Sequence, residues 1–308
     1  MNIIDLHCDT IYLLLKTNEG LWENTCHFDL KRALNAGIFL QFFSLFSMPS
    51  DSNIVLRDIL KQIEKFYYEF DKNQNYLYLV KSYKDIQDNM DNINKIGCVL
   101  HLEGAEAIGP DVDILYLLYR LGLRSLGLTW NRRNLLADGV EEGEGAGGLS
   151  KLGRDIVNKA EKLGIIIDLS HISQKSFFDV LENYNKPIMV THANAYKLCP
   201  HPRNLNDDQL KALAQNKGII GITQVCSFVA QGSAALEDLL NHIVYISELI
   251  GTEYIGLGSD FDGADNIVMS GIEEYSIWTE LLKGKGFTKK EIKGILKDNA
   301  LRVISSVL

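Results

Sequence analysis

The sequence predicts an α/β protein built as a single (β/α)8 TIM barrel over residues 1–308, on three observations. Short apolar, β-branched runs recur along the whole chain; most are separated by longer stretches with helical periodicity; and five of the runs end in side chains able to bind metal. The eight runs are 2–10, 38–46, 96–104, 123–130, 164–171, 187–194, 218–226 and 254–263. Dividing the chain by eight gives about 38 residues per unit, above the ~31 of a typical barrel of this kind, so enlarged connections are expected. The longest follows the second run.

The first run carries Asp5, His7 and Asp9, and the second is almost wholly apolar. In the fifth and eighth, IIIDL and IGLG are apolar nearly throughout, as strands covered on both faces must be. The segment 139–148, rich in Gly and Glu, follows the fourth run and reads as a mobile loop over the site. An Asn/Asp entry predicts a helix over 207–216, and Thr288 with Glu291 forms a capping box that opens the last helix. A doubly wound open sheet shares this alternation but would carry its chemistry at one switch point, not on strands spread over the chain.

Composition narrows the function classes. With 46% hydrophobic and 23% charged residues the chain can close a large core, which excludes disorder and fibrous repeats. Lys plus Arg number 31 against 40 Asp plus Glu, and the net charge of −9 disfavours nucleic acid and anionic membranes as partners. The polar residues of the first run stand where a signal peptide needs an unbroken apolar stretch, so export is not expected. Five sparse cysteines, mostly flanked by apolar residues, suit buried thiols in a reducing compartment, and a cytoplasmic location is expected.

In a barrel, residues of one parity point inward, and those at the carboxyl end open into the mouth. His7 and Asp9 are two apart, so both are expected on the inner face, with Leu6 and Cys8 turned to the helices. Further along, the third run ends His101-Leu102-Glu103-Gly104, the fifth Asp168-Leu169-Ser170-His171, the sixth Thr191-His192-Ala193-Asn194 and the eighth Ser259-Asp260-Phe261-Asp262. Taken singly each has an ordinary reading: a hydrogen-bonded histidine, Asp9 or Asp260 as a helix cap, Glu103 in a turn. Their coincidence at one end of five strands favours a metal site. His27, His201 and His242 read as structural, and His101, deeper than Glu103, as a supporting or core residue. Mixed imidazole and carboxylate donors suit Zn²⁺. His7, Asp9, Glu103, His171 and His192 exceed what one tetrahedral catalytic ion can use. Two zinc ions sharing a carboxylate and a hydroxide are therefore expected.

These motifs are specific enough to carry a resemblance. The chain resembles the membrane dipeptidase (renal dipeptidase) family of the binuclear zinc amidohydrolase superfamily. The likeness lies in DLHCDT at 5–10, HLEGAEAIG at 101–109, LGLTWNRRNLLADG at 126–139, IDLSHIS at 167–173, THANAYKLCPHPRNLNDD at 191–208 and LGSDFDG at 257–263. It implies an amidohydrolase-like barrel with one zinc on His7 and Asp9, a second on His171 and His192, and Glu103 bridging both, where many relatives use a carbamylated lysine. It further implies that Arg203 receives the substrate's terminal carboxylate through its planar fork and that Asp260 is the acid/base group, with Asp262 in a turn or cap. Trp130 stands where animal members have a histidine that polarises the scissile carbonyl. An indole cannot become cationic, so the oxyanion would rely more on zinc or on Asn131. Arg203, Trp130 and Asn131 are thus the expected substrate-binding residues, and Asp260 and Glu103 the catalytic ones.

The expected activity is zinc-dependent hydrolysis of dipeptides by a metal-bridging hydroxide, L-Xaa-D-Xaa dipeptides included, since the family often accepts a D-residue at the second position. The partner would be a small dipeptide, not nucleic acid or membrane, with a homodimer the assembly the family often adopts. The animal members' signal and lipid-anchor segments have no counterpart here, so the family's membrane name is not expected to transfer. Two alternatives stay open. One is another amidohydrolase reaction on lactones, cyclic amides or N-acyl amino acids, kept in view by Trp130. The other is a non-catalytic barrel binding peptide or metal, which would not need Asp260 beside a full ligand set.

Overall fold

A computed structural model describes residues 2–308. Among these lie nine strands, all parallel: β1 Ile3–Cys8, β2 Ile38–Phe46, β3 Leu77–Leu79, β4 Ile96–Glu103, β5 Leu123–Gly127, β6 Ile166–Asp168, β7 Met189–Ala193, β8 Ile219–Ile222 and β9 Ile255–Leu257. Pairing runs β2-β1-β9-β8-β7-β6-β5-β4, and β2 with β4 closes the ring, giving the eight-stranded barrel expected from the sequence. All eight runs appear, the second with its bounds unchanged. β3 was missed: it is as short as β6 and β9, but unlike them it leads to no side chain able to bind metal, and it pairs only with β4, outside the ring. It lies in the long connection after β2, between helices Ser52–Lys72 and Tyr83–Asp88.

Helix entries follow the local chemistry. Asn206 Oδ1 accepts from the Gln209 amide at 2.9 Å and Gln209 Oε1 accepts from the Asn206 amide at 3.2 Å, opening helix Asp207–Gln215. The Thr288–Glu291 box forms ahead of helix Lys289–Lys293, which continues through Gly294–Asp298 into the last helix. The segment 139–148 folds around a short 3-10 turn, Val140–Gly145.

The barrel interior is packed by Ile4, Leu6, Val99, Ile166, Met189 and Ile219, joined by Ala300, Val303 and Ile304 of the last helix, Asn299–Val307. That helix lies against the amino ends of the strands: Lys186 Nζ donates to the Val307 carbonyl at 3.0 Å, and Arg302 Nη2 to the Gly218 carbonyl at 3.1 Å. The floor is thereby sealed, and chemistry is confined to the carboxyl end.

Leu6 corrects the parity argument, because it joins the interior cluster and does not face the helices. Between Asp5 and Cys8, β1 advances three residues while β2 advances two, from Gln41 to Phe43, so one extra residue bulges out and the alternation breaks just before His7. A similar irregularity lies between Val190 and Ala193 in β7, around His192. Bulges thus re-aim the imidazoles where the ladder reaches the mouth. Close strand approach helps: a Cβ on Gly221 or Gly258 would fall 2.1 or 1.7 Å from the Thr191 carbonyl oxygen, so only glycine lets β8 and β9 lie against β7 there.

Candidate metal centre

The residues predicted to bind metal converge. His7 lies near the end of β1, Asp9 directly after it, Glu103 at the last position of β4, and His192 within β7. His171 and Asp260 stand three residues beyond β6 and β9, with φ of 64° and 63°. The sequence placed both on strand ends; they belong instead to the first turn of the following loops, in a backbone region costly for residues other than glycine.

Glu103 is at the centre. Its Oε1 lies 2.8 Å from His171 Nε2 and 3.7 Å from His192 Nε2, and its Oε2 lies 3.4 Å from His7 Nε2. His7 Nε2 is 3.2 Å from Asp9 Oδ2 and 3.9 Å from Asp260 Oδ1. Three overlapping groups of ligand atoms each fit within 4.8 Å: His7, Asp9, Glu103; Glu103, His171, His192; and His7, His192, Asp260. Asp9 occupies the N-cap position of helix Thr10–Thr17 but makes no side-chain cap bond, so it is not there to cap.

Two imidazoles have their tautomers set from behind. Asn131 Oδ1 can only accept, so it takes the proton of His171 Nδ1 at 2.7 Å. The Thr191 hydroxyl donates to Asp168 Oδ2 at 2.7 Å and therefore accepts from His192 Nδ1 at 2.9 Å. Both neutral rings then turn Nε2 lone pairs inward, and these two nitrogens are 2.9 Å apart. Lone pairs that close, beside three crowded carboxylates, repel one another unless cations stand among them. His7 Nδ1 and Asp9 Oδ1 are buried without hydrogen-bond partners. The donor set therefore fits zinc.

Electrostatics show the same crowding. Burial, with the Glu103 charge next, pushes Asp9 up to about 7. Asp260 is pushed up to about 6, chiefly by burial, against the opposing pull of His7. Burial also works against charge on His7, but Glu103 and Asp9 outweigh it and hold that imidazole well above its usual range. His171 falls to about 4 through burial and the nearby Arg203 charge.

A cavity of about 320 Å³ opens over the cluster and is lined by Asp9, Glu103, Trp130, Asn131, Arg203 and Asp260 among others. Arg203 is only 4% exposed. Its Nη2 donates to the His192 carbonyl at 3.3 Å, its Nε has no partner, and burial lowers its pKa to about 10. A buried guanidinium with unspent donors beside a cavity suits an anionic ligand. Trp130 packs between Phe46 and His171, with ring centroids 5.6 and 5.9 Å away. Asn131 lines the cavity, but its oxygen is committed to His171.

The remaining expectations resolve structurally. His101 Nδ1 meets Ser125 Oγ at 2.9 Å beneath the site. Asp262 accepts from Thr10 Oγ1 at 2.6 Å and from the His27 amide at 2.7 Å, pinning a turn. His242 takes the Ala195 amide on Nδ1 and reaches the Val229 carbonyl. His201 accepts the Arg203 amide at 3.2 Å and stacks on Phe228. Sequence reasoning missed Ser44, whose hydroxyl donates to Glu103 Oε2 at 2.9 Å, and the Asp168–Thr191 support of His192. The signal was present as lone polar residues inside apolar strands.

A sequence profile of the membrane dipeptidase family, peptidase family M19, matches residues 1–308. The chain belongs to that family. An uncharacterised dipeptidase of Schizosaccharomyces pombe is 32% identical over 330 aligned positions, covering 98% of this chain and 79% of that protein. Among solved structures, the metallopeptidase dipeptidase AC of family M19 superposes with a TM-score of 0.92 at 27% identity, covering 100% of this chain and 98% of the other. A metallopeptidase from Rhodobacter sphaeroides, liganded with a phosphinate mimic of the dipeptide L-Ala-D-Ala, gives 0.92 at 25% identity, covering 100% and 99%. This membrane dipeptidase relative is accordingly a metal-dependent dipeptidase, a hydrolase of peptide bonds, and its family implies zinc.

Proposed function

We propose that the protein binds two zinc ions, one on His7 and Asp9 and one on His171 and His192, with Glu103 shared between them, and hydrolyses dipeptides, L-Xaa-D-Xaa among them. The observation that carries this reading is Glu103, whose two oxygens each face a different set of imidazoles at 2.8–3.7 Å. When bound, the ions supply Lewis acidity for the scissile carbonyl and a water acidic enough to attack at neutral pH. Asp260 faces the same space and moves the proton, from the attacking water to the departing amine nitrogen. Arg203 pairs its buried fork with the substrate's terminal carboxylate, which fixes the cut one residue away. Asn131 and Thr191 hold the two imidazoles in register. Acceptance of L-Xaa-D-Xaa dipeptides is supported by the L-Ala-D-Ala mimic in the Rhodobacter relative. Five buried free thiols support a reducing, cytoplasmic compartment.

Metal analysis coupled to a hydrolysis screen tests the reading. Purified protein should carry two zinc ions, cleave L-Ala-D-Ala and L-Ala-L-Ala, lose activity to a chelator and regain it with zinc. Arg203→Met should cost dipeptides about a hundredfold or more in kcat/KM while sparing their C-terminal amides; equal loss on both would remove the carboxylate role.

A further inference from the structure

Around the ring the strands follow the order β1, β2, β4, β5, β6, β7, β8, β9. The loop after β7, which carries Arg203, therefore stands across the mouth from the end of β2. That opposite side is apolar. Phe46 ends β2, and its ring lies 5.6 Å from Tyr12, after β1, and 5.6 Å from Trp130, after β5. Met48, 53% exposed, stands beside them on the same cavity. Outward lies a second depression of about 430 Å³ that shares Tyr12 and Met48 and runs over exposed Leu15 and Ile54, with Lys16, Asp58 and Lys61 making its outer part polar. Nothing in the hydrolytic chemistry calls for three aromatic rings and a thioether at the rim. Apolar side chains gathered in a concave, water-facing site mark the seat of an apolar group.

We propose that Tyr12, Phe46, Met48 and Trp130 form the pocket for the side chain of the substrate's N-terminal residue, and that the enzyme favours dipeptides beginning with a large apolar residue such as Phe, Leu or Met. The inference rests on the dipeptidase reading with Arg203 at the carboxylate. Anchored there, with its peptide bond beside Glu103 and Asp260, a dipeptide extends its other residue across the mouth to β2. A charged side chain in that place would lose its water against Phe46 and Trp130, whereas an aryl or branched alkyl group would stack on them.

The test compares kcat/KM for Phe-Ala, Leu-Ala, Asp-Ala and Lys-Ala with the reversed series Ala-Phe, Ala-Leu, Ala-Asp and Ala-Lys, using the zinc-loaded enzyme. The N-terminal series should spread at least about tenfold in favour of Phe and Leu. Met48→Glu, at an exposed position that tolerates charge, should cut the Phe-Ala to Lys-Ala ratio about fivefold or more, and Trp130→Ala should flatten the same series, while ratios within the reversed series hold. Equal kcat/KM along the N-terminal series overturns the proposal and leaves dipeptide hydrolysis standing. So does a shift of the reversed series instead, which would assign the wall to the C-terminal side chain. If no dipeptide is cleaved at all, the reading beneath falls together with the proposal.

Discussion

Two sets of carboxylates lie within one barrel, Asp5 and Asp9 only four residues apart, and they live in opposite surroundings. Asp5 accepts from the Ser259 amide and hydroxyl at 2.7 Å each, from Gln41 Nε2 at 2.9 Å and from the Tyr275 hydroxyl at 3.3 Å. Asp168 is served likewise by the amides and hydroxyls of Ser170 and Thr191 at 2.7–3.0 Å. Every partner there is a neutral donor, and the charge is spread over four bonds. Asp9, Glu103 and Asp260, by contrast, face one another and three imidazoles, and Asp9 keeps an unpartnered oxygen. A buried carboxylate saturated by fixed dipoles braces the fold, whereas one left to share protons with its neighbours is arranged for something that arrives later.

The contrast can be broken in four places. Glu103→Ala should have the largest effect: zinc content falls towards zero and dipeptide hydrolysis drops at least about a thousandfold, as losing a shared ligand demands. With chelator present, this variant should also melt lower than the wild type, because His7 loses the carboxylate that holds its charge and Ser44 loses its acceptor; retention of zinc by the folded variant would make Glu103 a bracing residue after all. Asp260→Asn should lower kcat by roughly 10²–10⁴ while the protein retains its zinc by metal analysis, separating proton transfer from ligation. Asp5→Ala should do the reverse, costing about 3 kcal/mol in denaturant unfolding through its stranded donors, with zinc stoichiometry unchanged in the folded fraction. Asn131→Ala should be milder, weakening zinc about 10–100-fold in competition with a chromophoric chelator, since His171 loses the acceptor that fixes its ring.

The fold was legible because each barrel strand is an apolar run long enough to stand out, and the ligands were legible because a strand end can hold few polar residues by accident. What escaped notice depends on departures from regularity. β3, no shorter than β6 or β9, stands outside the ring and ends in no metal-competent side chain. Leu6 faces inward because an extra residue breaks the alternation of β1, which no period-two count reveals. His171 and Asp260 sit past the ends of β6 and β9, at positive φ, although the Asp260 amide still donates to the His7 carbonyl at 3.2 Å. Ser44 and Thr191 act through hydrogen bonds to residues far away in sequence or on other atoms of a ligand, which become visible only when the strands are laid side by side.

Packing of the last helix against the amino ends of the strands has a kinetic consequence. A dipeptide enters through the cavity mouth, and both amino acids must depart the same way. If Arg203 pairs with the terminal carboxylate as proposed, the fragment that keeps that carboxylate has the firmer hold, since cleavage does not break that pair. Free amino acid accumulating in solution would then compete with incoming dipeptide, and progress curves should bend earlier than substrate depletion accounts for.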